Sequence, residues 1–128
     1  MTVASTGKAP RTTGSAENEV LPLDVETISY SAEAALSMKM ATSTREEIDG
    51  AAPAIIGHLN LLLGEDLGAD EDESVRELLR KGYGLLDYRN RPTPETPAFG
   101  AFDYLKDAAG LTQRLLEIYT HRNTLDAP

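Results

Sequence analysis

The sequence predicts an all-α protein, a small up-down four-helix bundle that follows an N-terminal tail. Two stretches carry this prediction, because in each of them apolar side chains recur every three or four residues and so share one face of a helix. The two stripes are Ile48, Ala52, Ile55, Leu59 and Leu62, and then Phe102, Leu105, Ala109, Thr112, Leu115 and Tyr119. Because one-sided helices must cover their apolar face, we expect these two to pack against each other and against further helices.

Length and composition limit the class of protein. The chain has 128 residues, the size of one domain, with a formal net charge of −9 and no cysteine. The absence of cysteine excludes disulfides and thiolate metal ligands, and it suits a reducing compartment. The sequence contains no long apolar run and no signal-peptide pattern. We therefore expect a soluble, cytoplasmic protein without a membrane partner.

The chain divides into three parts. Residues 1–20 are rich in Ala, Ser, Thr, Gly and Pro without any period, and this composition predicts a disordered tail. Residues 21–123 are expected to form the helical bundle domain. Residues 124–128 are expected to fray.

The first helix is predicted from Asp24 to about Lys39, with Asp24 as its N-terminal cap and Thr27 as a second candidate for the cap. The second helix is predicted to begin at Ser43, because Ser43 and Glu46 have the spacing of a capping box. It should end at Leu63, with Gly64 as a left-handed C-terminal residue.

Pro53 lies inside this second helix and removes one of its hydrogen bonds. Two interpretations stay open. Either the helix kinks at the proline, or a short turn precedes a helix that begins near Ala51.

Six carboxylates lie between Glu65 and Glu73, but they do not alternate as in a calcium-binding EF-hand loop. They are typical of a helix start, with Asp70 as cap and Glu73 closing the capping box. The third helix is then predicted from about Glu71 to Arg89. Its inward face is expected to be Val75, Leu78, Leu79, Gly82, Leu85 and Leu86.

Several glycines interrupt the predicted helices. Gly82 and Gly84 each cost helix stability, which predicts close approach of another backbone, either internal or from a partner. The fourth helix should open with Thr96 as cap and Pro97 at its first position, and should extend to about Arg122. Ala108, Ala109 and Gly110 form a small-residue patch in it, which favours a tight helix crossing.

Motifs for catalysis, metals and cofactors are missing. The sequence has no His-x3-His pair, no nucleophile elbow and no glycine-rich phosphate loop, so we predict neither a metal nor a cofactor. His58 and His121 are the only imidazoles. His58 is either a hydrogen-bonded boundary residue or the base of a small lyase or cyclase, with Tyr104 or Tyr119 as acid. His121 is expected to be a charge at a helix end.

Two groups of residues are candidates for contacts with other molecules. The predicted partner-binding face consists of Tyr83, Gly84, Tyr88, Tyr104 and Tyr119, since tyrosine is enriched at interfaces. The alternative is that these rings line the rim of the core. A basic docking corner is predicted from Arg80, Lys81, Arg89 and Arg91. It would bind an acidic patch or a phosphate group, as in a regulatory protein on nucleic acid, or it is an ordinary charged surface. Because the chain as a whole is acidic, nucleic acid is not the expected partner.

Three segments resemble a group of small, uncharacterised actinobacterial (Streptomyces-type) helical proteins associated with natural-product biosynthesis. The segments are Ile55–Leu63, which contains Gly57-His58 before a run of leucines, Thr27-Ile28, and Tyr104-Leu105-Lys106 with Ala109, Leu115 and Tyr119 after it. The resemblance covers residues 24–123. The chain departs from the group at Gly64-Glu65, where Pro-Glu is usual, and at Lys81–Gly84.

The resemblance implies a function in antibiotic biosynthesis. The resemblance also suggests a more specific role, that of the small companion subunit in the enzyme pair that builds the aziridine-fused azabicycle of azinomycin-type antibiotics. The implied partner is a larger biosynthetic enzyme in a hetero-oligomer, and a homodimer is also compatible. The resemblance implies no catalytic residues.

Overall fold

The computed structural model describes residues 23–126 and confirms the all-α, four-helix architecture. The helices are α1 (Val25–Ser37), α2 (Arg45–Leu63), α3 (Glu73–Leu86) and α4 (Ala98–Asp126), and single 3₁₀ turns cover Met40–Thr42 and Tyr88–Asn90. Within this range no strand occurs. The predicted tail, residues 1–20, lies outside the described residues, as do residues 127 and 128.

The caps of α1 and α2 follow the predicted chemistry with one shift of register. The Asp24 carboxylate accepts from the Thr27 backbone N–H at 3.1 Å, as predicted. In α2 the capping box joins Thr44 and Glu47, because the Thr44 hydroxyl accepts from Glu47 N and the Glu47 carboxylate accepts from Thr44 N. The predicted box of Ser43 and Glu46 is therefore wrong by one residue.

α2 is continuous from Arg45 to Leu63 with Pro53 inside it. A helix that begins near Ala51 is therefore wrong. The proline is exposed, so its ring faces solvent and not the core. The interior of the helix loses one hydrogen bond, and packing of the opposite face offsets that loss.

The loop between α2 and α3 corrects two further predictions. Gly64 is right-handed, with φ −86°, and the left-handed residue is Gly68, with φ 84°. Asp72, not Asp70, caps α3, because its carboxylate accepts from Ser74 N at 2.9 Å. The left-handed glycine of this loop thus lies four residues later than predicted, at Gly68 and not at Gly64. Over residues 23–126 no three His, Cys, Asp or Glu side chains are placed to hold a metal ion.

Glycine is required at position 68 by the positive φ of the backbone and by the nearby side chain of Arg122. A Cβ on Gly68 would lie 2.5 Å from Arg122 Nη1, and Arg122 Nε donates to the Asp66 carbonyl at 3.2 Å. We expect Gly68→Ala to destabilise the fold by about 1–3 kcal/mol, because alanine disfavours positive φ and displaces the guanidinium.

Urea denaturation measures this loss, and Gly64→Ala is the matched control. A Cβ at Gly64 meets only the Leu61 carbonyl at 3.5 Å, and its φ is negative, so its effect should stay below about 0.5 kcal/mol. Equal losses in the two variants would contradict the conformational argument.

The start of α4 also differs from the prediction. The helix begins at Ala98, so Pro97 precedes it and does not occupy its first position. The Thr96 hydroxyl accepts from Thr93 N at 2.9 Å and thereby closes the preceding turn, and it does not cap the helix. Arg45 at the start of α2 donates to the carbonyls of Thr93 and Thr96 and fixes this turn to α2.

The core consists of two apolar clusters along the bundle. One is rich in leucine and contains Ile28, Leu59, Leu62, Leu63, Leu67, Val75, Leu111, Leu115, Leu116 and Tyr119. The other is rich in alanine and contains Ala35, Ile48, Ile55, Ala101, Tyr104, Leu105, Ala108 and Ala109. Of the predicted small-residue patch, Ala108 and Ala109 are fully buried in the second cluster, whereas a Cβ at Gly110 would meet nothing within 4 Å.

α3 is the least buried of the four helices over the residues whose side chains are described. Of its 14 residues only Val75 and Gly82 are buried. The four leucines of its predicted inward face are only partly buried: Leu78, Leu79, Leu85 and Leu86. α3 therefore carries apolar surface that the bundle itself does not fully cover.

Candidate interaction surface

The tyrosines of the predicted partner-binding face fall into two classes. Tyr104 and Tyr119 are buried, with exposed fractions of 9% and 8%. The Tyr104 hydroxyl donates to the Leu85 carbonyl, and the Tyr119 hydroxyl accepts from Leu23 N at 3.2 Å. Burial raises the pKa of Tyr104. These two rings belong to the core and join α4 to α3 and to the start of α1. They are therefore not part of an exposed partner-binding face.

Tyr83 and Tyr88 are exposed by 59% and 81%. Neither ring is free to rotate without losing a contact. The Tyr83 hydroxyl donates to the Leu63 carbonyl at 3.4 Å, and the Arg91 guanidinium lies 4.3 Å from the centroid of the Tyr88 ring. Both aromatic rings are therefore largely in solvent, and each keeps one contact with the rest of the chain.

The two glycines of α3 have different surroundings. A Cβ on Gly82 would lie 2.8 Å from Leu63 Cδ2 and 3.4 Å from Leu111 Cδ2. Gly82 is thus required by side chains of the core, and the predicted approach of a backbone is wrong for it. At Gly84 a Cβ would meet nothing within 4 Å. Gly84 therefore lies open beside Tyr83, on the exposed side of α3.

The basic corner is largely neutralised by neighbouring carboxylates. Arg80 pairs with Glu77 at 2.7 Å, and Arg89 pairs with Asp87 at 2.7 Å. The Arg89 hydrogen bonds lower the pKa of Asp87. Lys81 is exposed. Within the described residues Arg91 forms no ion pair, and its Nε donates to the Leu86 carbonyl at 3.0 Å.

Arg91 lines a groove of about 420 Å³ between the turn before α4 and the outer face of α2. The turn contributes Pro92 and Pro94, and α2 contributes Ala52, Pro53 and Ile56. On the far rim Arg45 and Asp49 neutralise each other at 2.8 Å. The Arg91 guanidinium that lines this groove also contacts the exposed ring of Tyr88.

Two other clefts meet at His121. One, of about 640 Å³, lies between the loop after α2 and the end of α4, and the other, of about 550 Å³, lies between α1 and α4. Both are lined by Glu117 and His121. The larger cleft also has Arg114, which lies 3.6 Å from Glu117 and is exposed, so the charges there are solvated and paired. The sequence predicted only a helix-end position for His121.

His58 has a structural contact. Its Nε2 lies 3.2 Å from the Ser31 hydroxyl, and the ring is half-buried between α2 and α1. None of the clefts described above is lined by His58. The acids proposed for a lyase, Tyr104 and Tyr119, already form hydrogen bonds to backbone atoms. This geometry matches the boundary-residue interpretation.

Sequence reasoning missed four exposed apolar residues, Tyr30, Met40, Leu61 and Phe99. Their exposed fractions are 76%, 37%, 53% and 63%. Leu61 lies off the apolar stripe of α2, and this position is the signal that could have identified it. Phe99 lies three residues before Phe102 and continues the α4 stripe, so the period alone would have placed it in the core.

None of the helices within residues 23–126 combines the length and apolar character that a bilayer crossing requires. The resemblance to natural-product proteins stays a prediction. Comparisons with protein families, curated proteins and solved structures give no match for this chain.

Proposed function

We propose that this chain is a non-catalytic companion subunit that binds and stabilises a larger enzyme of natural-product biosynthesis. The observation that supports it is the exposure of Tyr83 on α3 and of Tyr88 in the 3₁₀ turn that follows α3, next to the helix with the most incompletely covered leucines. The pathway is suggested by the resemblance alone, which points to the small companion subunit of the azabicycle-forming enzyme pair.

Physical chemistry favours this face as an interface. Tyrosine offers a large apolar ring and a hydroxyl at low entropic cost, and that cost falls further when intramolecular contacts already hold the ring. The Leu63 carbonyl and the Arg91 guanidinium hold Tyr83 and Tyr88 in this way. A partner that covers α3 would also remove its half-buried leucines from water, at about 25 cal/mol for each Å² of apolar surface.

The test is co-expression with the biosynthetic enzymes encoded beside this gene, followed by size-exclusion chromatography and affinity measurement. We expect co-elution with one of them. Tyr83→Ala combined with Tyr88→Ala should weaken the complex by about tenfold or more, as for aromatic residues near the centre of an interface.

Tyr30→Ala is the matched control, because Tyr30 is 76% exposed but lies on α1. It should leave the affinity within about twofold. Elution of both proteins apart at micromolar concentration, or equal effects of the two sets of variants, would contradict the proposal.

A further inference from the structure

We propose that the groove beside Arg91 binds an acidic segment of a partner protein, with a carboxylate on Arg91 and an apolar side chain between the prolines and α2. This inference rests on the proposed function and names the chemistry of the partner. The groove, of about 420 Å³, is formed by Ala52, Pro53, Ile56, Arg91, Pro92 and Pro94. That volume is enough for one or two side chains of a peptide.

The apolar part of the groove determines what enters it. Pro53 and Pro94 are exposed and Ile56 is half-buried, so apolar atoms from α2 face apolar atoms from the turn across open space. Proline rings carry no N–H donor, so these walls offer contact surface with little to hydrogen-bond. An aliphatic or aromatic side chain therefore packs better against these walls than a sugar–phosphate chain does.

Arg91 gives the groove a net positive charge. Arg45 and Asp49 neutralise each other on the far rim, and Asp87 is engaged by Arg89 on the near side. The Arg91 side chain is held at Nε by the Leu86 carbonyl and on its face by the Tyr88 ring. A guanidinium fixed in this way loses little freedom when it binds a carboxylate through its remaining N–H groups.

The charge distribution of the chain supports an acidic occupant. Between Glu73 and Arg91 the sequence has five basic residues (Arg76, Arg80, Lys81, Arg89, Arg91) and three acidic ones (Glu73, Glu77, Asp87), a net charge of +2. Each of the three carboxylates pairs with an arginine, which leaves Lys81 and Arg91 outside the ion pairs of the described residues. Because the whole chain has −9, the remainder has −11. An acidic partner is therefore attracted to Lys81 and Arg91 and repelled by the rest of the molecule, which favours one orientation.

The experiment uses the full chain and a short fluorescein-labelled peptide with one leucine between two pairs of glutamates, measured by fluorescence anisotropy. The same peptide with glutamine for glutamate is the ligand control. We expect the acidic peptide to bind, and we expect Arg91→Gln to weaken it by about tenfold. Arg80→Gln, the matched control, should change the affinity by less than about twofold, since Arg80 is exposed, pairs with Glu77 and does not line the groove.

A second variant tests whether the loss of binding in Arg91→Gln comes from the charge and not from a change in fold. Pro94 is exposed, and Pro94→Glu adds a negative charge at the rim without removing a core contact. It should also weaken the acidic peptide by about tenfold, while the melting curve by circular dichroism stays that of the original chain.

Four outcomes would overturn the inference: equal binding of both peptides, no effect of Arg91→Gln, tighter binding of a DNA duplex at the same residues, or a concentration-dependent dimer that Arg91→Gln dissociates. The last outcome would assign the groove to a second copy of the chain. None of the four bears on the proposed function, since co-elution with a biosynthetic enzyme through Tyr83 and Tyr88 is a separate measurement.

Discussion

Leu59→Ala is expected to destabilise the protein by about 2–5 kcal/mol, the largest effect of any single change considered. Leu59 has an exposed fraction of 0% and lies in the leucine-rich cluster, with side chains of α1 and α4 around it. Removing its branched end leaves a cavity between three helices, because α2 is fixed at its start by Arg45 and cannot collapse into the space.

The matched control is Leu61→Ala, two residues along the same helix. Leu61 is 53% exposed, so its truncation removes little contact, and alanine is as good a helix former as leucine. We expect a change of less than about 0.5 kcal/mol. Urea denaturation of both variants with unchanged slope gives the two free energies of unfolding. Similar losses at Leu59 and Leu61 would mean that the leucine-rich cluster is not the core.

The contrast between these neighbours shows what the sequence could predict. The apolar period placed Ile48, Ile55, Leu59 and Leu62 on one face, and all four are buried. The period reports burial because a helix of fixed pitch turns its side chains by a constant angle. Caps are less determined, since Ser43 with Glu46 and Thr44 with Glu47 have the same spacing one residue apart. Only tertiary packing selects between these two registers.

The same period separates only some of the tyrosines. Tyr119 belongs to the α4 stripe and is buried, and Tyr83 lies off the α3 stripe and is exposed. Tyr104 lies off the predicted α4 stripe and is nevertheless buried, because its hydroxyl bonds to the Leu85 carbonyl of α3. Treating all the tyrosines as one surface ignored this difference. The groove could not be predicted from the sequence, because it brings Pro53 of α2 next to Arg91 and Pro94 of the turn before α4. No local pattern encodes the distance between residues that far apart in the chain.

Gly82→Leu is expected to cost about 2–3 kcal/mol, the second largest effect. A Cβ at this position would already lie 2.8 Å from Leu63 Cδ2, and the further atoms of leucine would displace Leu63 and Leu111 in the core. The gain in helix propensity, about 1 kcal/mol, offsets only part of this strain. Gly84→Leu is the matched control and should be stabilising by about 0.5–1 kcal/mol, because nothing lies within 4 Å of its Cβ position.

A double-mutant cycle identifies the contact that makes Gly82 necessary. Leu63→Ala alone removes a side chain that is 6% exposed and should itself be destabilising. Combined with Gly82→Leu it provides space for the new side chain, so the double variant should be at least about 1 kcal/mol more stable than the sum of the single losses. Additive losses would mean that the cost at Gly82 comes from the backbone and not from Leu63. The opposite signs expected at Gly82 and Gly84 then locate the boundary between the face of α3 that the bundle covers and the face that it leaves exposed.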